Sequence, residues 1–319
     1  MSIVEQATKR LEELSRAGVA VPWAAAGLAQ SEVRERVDAS RRSPSVEPTP
    51  AAAMRRLGGE APAPSVAPLR VLRPAGGATG PQPLVLDLEQ LERSGHLVPT
   101  QTRSALAEEF RQIKRPLLKN AHSKDSAANR LSLIMVTSAL PGEGKTFCSI
   151  NLAMSIAAEI DTSVLLVDAD VLRPEVLQRL GIQADKGLLD VLTDPELDLS
   201  DVVHRTNVPK LSILPSGARN VMSTELLASE AMETLLVSLA NRYSDRVVIF
   251  DAPPLLVTNE AQVLASRVGQ VVLVVQASNT PRSEVLQAFA AVEQCPVVMS
   301  VLNKTHEAAS PVAYGRYYA

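Results

Sequence analysis

Residues 139–146 read ALPGEGKT, a small residue and four further positions followed by Gly144, Lys145 and Thr146. That spacing suits main chain wrapped around phosphate oxygens. Gly142 and Gly144 let successive backbone N–H groups curl inward where a Cβ would clash, and a helix starting at the loop adds the positive end of its dipole. Lys145 has the length and charge to meet the β- and γ-phosphates, and the Thr146 hydroxyl is a hard oxygen donor suited to Mg2+. Pro141, Gly142, Glu143, Gly144, Lys145, Thr146 and Phe147 are therefore the expected nucleotide-binding run.

Two apolar runs elsewhere end in acids. SVLLVDADVLRP places Asp168 and Asp170 at the end of one, and RVVIFDAPPLL places Asp251 at the end of another. A lone Asp after a strand is often a turn former or a helix N-cap. Three of them in a chain with a phosphate loop are better read as carboxylates serving Mg2+, directly or through water, together with Thr146. Asn303, closing the last apolar run, suits an adenine contact or a simple turn.

These residues need a scaffold that gathers them. Strands are expected at 131–137, 163–168, 211–214, 247–251, 270–275 and 297–302, and helices at 145–158, 175–180, 224–241, 260–266 and 282–293. Continuous runs such as VVIF and VVLVV indicate strands buried on both faces, and the alternation with helices makes the fold class α/β, a doubly wound and mostly parallel sheet. Ligands of such sheets bind at the carboxyl ends of the strands, so Asp168, Asp170 and Asp251 are expected to converge beside the loop.

The rest of the chain divides by composition. Residues 1–20 read as an amphipathic helix, with Ile3, Val4, Ala7, Leu11 and Leu14 on one face. Residues 21–83 form an expected flexible linker, since nine of the 22 prolines fall between Pro44 and Pro83 and leave little to build a core. The nucleotide-binding domain is expected over 84–303 and a flexible tail over 304–319. Within 102–121, Leu106, Phe110 and Ile113 share a helical face, while Glu108, Arg111 and Lys114 stand three apart on another. They are readable as a solvated face or as a strip for a neighbouring subunit.

A net charge of −3 gives no global reason to expect nucleic acid as a partner. The two cysteines, Cys148 and Cys295, lack metal or redox spacing and read as buried apolar residues. No apolar run approaches the roughly 20 residues needed to cross a bilayer, so the expected location is cytoplasmic.

Three of the four tyrosines, Tyr314, Tyr317 and Tyr318, crowd the last six residues. A cluster alone suits an aromatic tail packed on a surface, whereas a nucleotide site on the same chain makes the three candidate phosphate acceptors. Tyr314 lies eleven positions beyond Asn303, a span of at most about 36–40 Å when extended, enough to reach the chain's own site or a neighbour's. Transfer then needs Lys145 on the phosphates, Asp168 to accept or orient the tyrosine proton, and Asp170 and Asp251 to complete the metal shell. The other readings are a switch-like ATPase that binds a membrane partner without phosphotransfer, and a scaffold that uses nucleotide for assembly.

The set ALPGEGKT, VDADVLRP and VVIFDAPP resembles the Walker A, Walker A′ and Walker B motifs of the bacterial tyrosine autokinases of exopolysaccharide assembly. Related partitioning ATPases carry a lysine where this chain has Leu140. AEEFRQIK resembles the family's E-x-x-R-x-x-[RK] oligomerisation motif at Glu108, Arg111 and Lys114, and the N-terminal layout with EEFRQIKRPLLKNA is most similar to the exosortase-associated subgroup. The resemblance implies a P-loop NTPase fold, ATP and Mg2+ as cofactors, and autophosphorylation between subunits of a homo-oligomeric ring. It also implies a separate membrane-spanning polysaccharide co-polymerase as activator and inner-membrane recruiter, and a tyrosine phosphatase that resets the tail.

Overall fold

The computed structural model describes residues 81–100, 103–123, 130–219, 221–242 and 246–305. The expected N-terminal helix, the linker up to residue 80 and Tyr314, Tyr317 and Tyr318 lie outside these residues. Among the described residues, two helices, α1 (Leu88–Arg93) and α2 (Ala105–Ala121), precede the first strand. The remainder runs β1 (Leu133–Ser138), α3 (Lys145–Ala157), β2 (Ser163–Asp168), α4 (Val176–Leu180), α5 (Leu188–Thr193), β3 (His204–Arg205), β4 (Leu211–Leu214), α6 (Ser223–Ala228), α7 (Glu230–Arg242), β5 (Arg246–Asp251), α8 (Asn259–Arg267), β6 (Gln270–Gln276), α9 (Arg282–Ala291) and β7 (Val297–Asn303).

The strands form one sheet in the order β3-β4-β2-β5-β1-β6-β7, parallel throughout except for the β3–β4 pair. Alternate residues of each strand face opposite ways, and both faces are covered. Leu133, Met135, Leu165, Val167, Val248, Phe250, Val271 and Leu273 join the core beneath α5 to α9. Ile134, Val136, Val164, Leu166, Val247, Ile249, Val272 and Val274 join the core beneath α1 to α4. Every residue of β1 is buried, as an apolar run in the middle of a doubly covered sheet requires.

Two short elements have no signal at the level of periodicity, α5 with six residues and β3 with two. The helix expected at 224–241 is two helices, broken at Ser229. The Ser229 backbone is extended, and its hydroxyl accepts from the Met232 N–H at 3.2 Å. It ends α6 and caps α7, which a serine does better than it propagates a helix.

The segment before α2 is strapped to the domain. Asn207 accepts from the Leu86 N–H at 2.9 Å and donates to the Leu86 carbonyl at 3.0 Å. Asn151, buried on α3, accepts from the Leu97 N–H at 2.6 Å. His96 lies between these ties with its ring 5.1 Å from that of Phe147, and burial, followed by the Arg179 charge, lowers its pKa.

Candidate nucleotide site

Asp168 and Asp251 are the last residues of β2 and β5, which pair with Asp168 directly opposite Asp251. Asp251 is in turn opposite Val136 on β1, two residues before that strand ends at Ser138 and the loop begins. Strand spacing of about 4.8 Å thus sets two carboxylates side by side next to the loop. This convergence of neighbouring strand ends is the one expected of a doubly wound sheet.

Loop geometry follows from the glycines. Gly142 and Gly144 have φ of +84° and +99°, a region that side chains rarely adopt. Gly144 is also the N-cap of α3. A Cβ there would fall 2.1 Å from Asn303 Nδ2. The first N–H groups of α3, those of Lys145, Thr146 and Phe147, have no carbonyl within the helix to bond and are available to an anion.

Lys145 is buried among the acids. Its Nζ stands 2.6 Å from Asp170 Oδ2, 4.0 Å from Asp251 Oδ2 and 3.4 Å from Thr146 Oγ1. Burial by itself would lower the lysine's pKa, but the charges of Asp251 and Asp170 outweigh it and the net direction is upward. Asp168 is pushed well above the usual carboxylate range by burial and then by the Asp251 charge, against the Val176 N–H that bonds its Oδ2 at 3.1 Å. Asp251 is also raised by burial, partly offset by the Lys145 ammonium and by the hydroxyls of Thr146 and Ser149. The four side chains, if all are ionised, sum to −2.

Asp168 Oδ1 and Asp251 Oδ2 are buried without a hydrogen-bond partner. Such orphaned oxygens are costly unless a ligand or cation completes them, so the residues fit Mg2+. Among the described residues no group of three or more His, Cys, Asp or Glu forms a metal site by itself. That suits Mg2+, which is commonly held by one or two carboxylates, water and the phosphates of the nucleotide.

Other expected residues are placed differently. Glu143 is almost fully buried and turns inward, accepting from the Leu140 N–H at 2.7 Å and from the Thr280 hydroxyl. The Phe147 ring packs on His96, leaving its backbone N–H for phosphate. The Asn303 amide nitrogen donates to the Glu143 carbonyl at 2.8 Å. Pro141 is exposed on the loop. Glu108 and Arg111 pair with each other on α2, whereas Lys114 is buried, its Nζ 2.7 Å from Glu159 Oε1 and 2.6 Å from the Ser155 carbonyl. The three therefore do not make one exposed strip, because α2 packs on α3 along the side that carries Lys114. Cys148 is buried with its thiol pushed up to about 12 by burial and then by Asp251, and Cys295 is buried as well.

Sequence reasoning missed Ser149, whose hydroxyl lies 3.0 Å from both Asp251 Oδ1 and the Lys145 carbonyl, within reach of donating to either. Its spacing of four from Lys145 on a helix was the available signal. It also missed Lys304, whose Nζ reaches the Gly142 carbonyl at 2.7 Å.

Comparison with known proteins agrees with this geometry. A family model for the AAA domain matches residues 132–295. The tyrosine-protein kinase YwqD of Bacillus subtilis is 31% identical over 196 residues, covering 61% of this chain and 79% of that protein. The putative tyrosine-protein kinase EpsB of Ralstonia nicotianae is 34% identical over 200 residues, and there the chain spans only 26% of the relative's length. The kinase domain of the Escherichia coli tyrosine kinase ETK shares the fold, with a TM-score of 0.57, 24% identity and coverage of 70% of this chain and 95% of that one. Conserved over most of YwqD and folded like a tyrosine kinase domain around a nucleotide-binding loop, the chain belongs to the bacterial tyrosine-protein kinases.

Proposed function

We propose that the chain transfers the γ-phosphoryl group of ATP, with Mg2+, to Tyr314, Tyr317 and Tyr318 of a neighbouring copy, and so regulates exopolysaccharide synthesis or export. The observation that carries the reading is the buried Lys145 held 2.6 Å from Asp170 between the strand ends that bear Asp168 and Asp251. ATP draws the lysine from the carboxylates onto its phosphates, where its charge offsets the charge that develops as the bond to the γ-phosphorus breaks. The loop N–H groups hold the remaining phosphate oxygens. Thr146, Asp251 and Asp170 would hold Mg2+, which would supply charge neutralisation to the phosphates.

The tyrosine oxygen forms the new bond to the γ-phosphorus, the bond from that phosphorus to the β–γ bridging oxygen breaks, and its electron pair leaves with ADP. The tyrosine proton passes to Asp168. A carboxylate whose pKa is raised by burial and by the neighbouring Asp251 is a stronger base than an exposed one, and a phenol with a pKa near 10 needs it. Asn303 is assigned to the adenine edge of the site as well as to the loop.

The proposal extends to what the motif resemblance implies: a homo-oligomeric ring, a separate membrane-spanning polysaccharide co-polymerase as activator and inner-membrane recruiter of a cytoplasmic kinase, and a phosphatase for the tail. No described helix is long and apolar enough to cross a membrane. Labelled ATP with Mg2+ should put phosphotyrosine on the full chain. Lys145→Met should lower it at least ~100-fold, and changing all three tail tyrosines to Phe should abolish it. Label on tyrosine that survives the lysine change sinks the mechanism, and ATP hydrolysis without tyrosine label favours the switch-like ATPase.

A further inference from the structure

We propose that Lys304 is a positioning residue of the nucleotide site, acting with Asn303 as a clasp on the outer side of the phosphate loop. A loop that aims its N–H groups inward must aim carbonyls outward, because N–H and C=O of one trans peptide point in opposite directions. Three of the loop's carbonyls have a side-chain donor. Ser138 Oγ bonds the Leu140 carbonyl at 2.8 Å, Lys304 Nζ bonds that of Gly142 at 2.7 Å, and Asn303 Nδ2 bonds that of Glu143 at 2.8 Å. Fixing the Gly142 and Glu143 carbonyls fixes the N–H groups of Glu143 and Gly144 on the opposite side of those peptides.

The clasp is built into the sheet. Asn303 pairs in register with Gln276 across β6 and β7, and Gln276 Oε1 takes a second bond from Lys304 Nζ at 3.3 Å. Lys304 has φ of +57°, a left-handed backbone that a non-glycine residue holds at a cost. That backbone sends the side chain back over the loop instead of onward with the chain. Gly144 is open enough on this side for Asn303 to lie where its Cβ would be. The first residue beyond the last strand is thus fastened to the loop.

The inference rests on nucleotide binding at the loop but not on tyrosine transfer, so binding is the readout. Calorimetric titration of the full chain with Mg-ADP should show Lys304→Met binding about 5–20-fold more weakly than wild type, the loss of one charge-assisted hydrogen bond. Lys304→Arg should stay within about threefold. The loss should persist at 0.5 M KCl, where the attraction of an exposed charge is largely screened. The midpoint of thermal unfolding without nucleotide should stay within about 1 °C, and in turnover the loss should appear in KM for ATP with kcat within about twofold. Wild-type affinity in Lys304→Met overturns the proposal. So does a loss that vanishes at high salt, a loss confined to kcat, or a nucleotide-free destabilisation that Arg does not rescue. A wild-type chain that binds no Mg-ADP instead overturns the nucleotide reading on which the clasp depends.

Discussion

Asp168 is the residue where folding and chemistry conflict most. Buried beside Asp251, with one oxygen unpartnered, its carboxylate is destabilised as an anion. A folded pKa raised above the unfolded value favours the fold below about pH 3.8 and loses that contribution as pH rises through the folded pKa. Asp168→Asn removes the charge and keeps an oxygen for the Val176 N–H. We expect it to stabilise the nucleotide-free protein at pH 8 by about 1–2 kcal/mol, roughly 2–8 °C in unfolding midpoint, with the gain shrinking toward pH 4. Phosphotransfer should fall by about 100-fold or more. Scanning calorimetry across pH checks the first effect and labelled ATP the second, and a variant less stable than wild type at pH 8 would refute the strain.

At the scale of elements, α2 shows why a motif on a helix is read only half correctly from spacing. Glu108, Arg111 and Lys114 stand three apart, yet Lys114 is buried against α3 and bonds Glu159 and the Ser155 carbonyl. Lys114→Ala should destabilise the domain by about 1–3 kcal/mol, because it strips a donor from a buried carbonyl and leaves Glu159 unpaired. Arg111→Ala should cost under about 0.5 kcal/mol, as exposed helical pairs do. Urea unfolding measures both, and light scattering reads their effect on assembly. If Lys114→Ala unfolds like wild type while dissociating the oligomer, Lys114 serves the interface and not the α2–α3 contact.

For the whole molecule the question is which site receives the tail. Mixing Lys145→Met, expected to be catalytically silent with an intact tail, with a chain whose three tail tyrosines are Phe separates the two routes. Transfer between subunits predicts label on the Lys145→Met chain, at an initial rate that rises with the square of total protein until assembly is complete. Absence of label in the mixture, alongside normal labelling of wild type, would mean that each chain serves its own tail.

Much of this was legible in the sequence because it is local. The order of acid-tipped apolar runs, the glycines of the loop and Thr146 after Lys145 are set by residue type and neighbour spacing, and β2 and β4 have the bounds expected from the sequence, 163–168 and 211–214. The split at Ser229 was also local, visible as a serine three residues before Met232, but an 18-residue apolar pattern masked it. Other features depend on contacts between distant segments, which no window along the chain contains. The pairing of Asp168 opposite Asp251 follows from strand order, the inward turn of Glu143 from Thr280, 137 residues away, and the burial of Lys114 from the packing of two helices. Lys304, 162 residues from Gly142, reaches that carbonyl because β6 and β7 pair in a register that returns the end of the sheet to its loop. The sequence by itself determined which groups are the candidates to meet phosphate, and only the tertiary structure decided what holds those groups in place, since a hydrogen bond depends on position in space and not on separation along the chain.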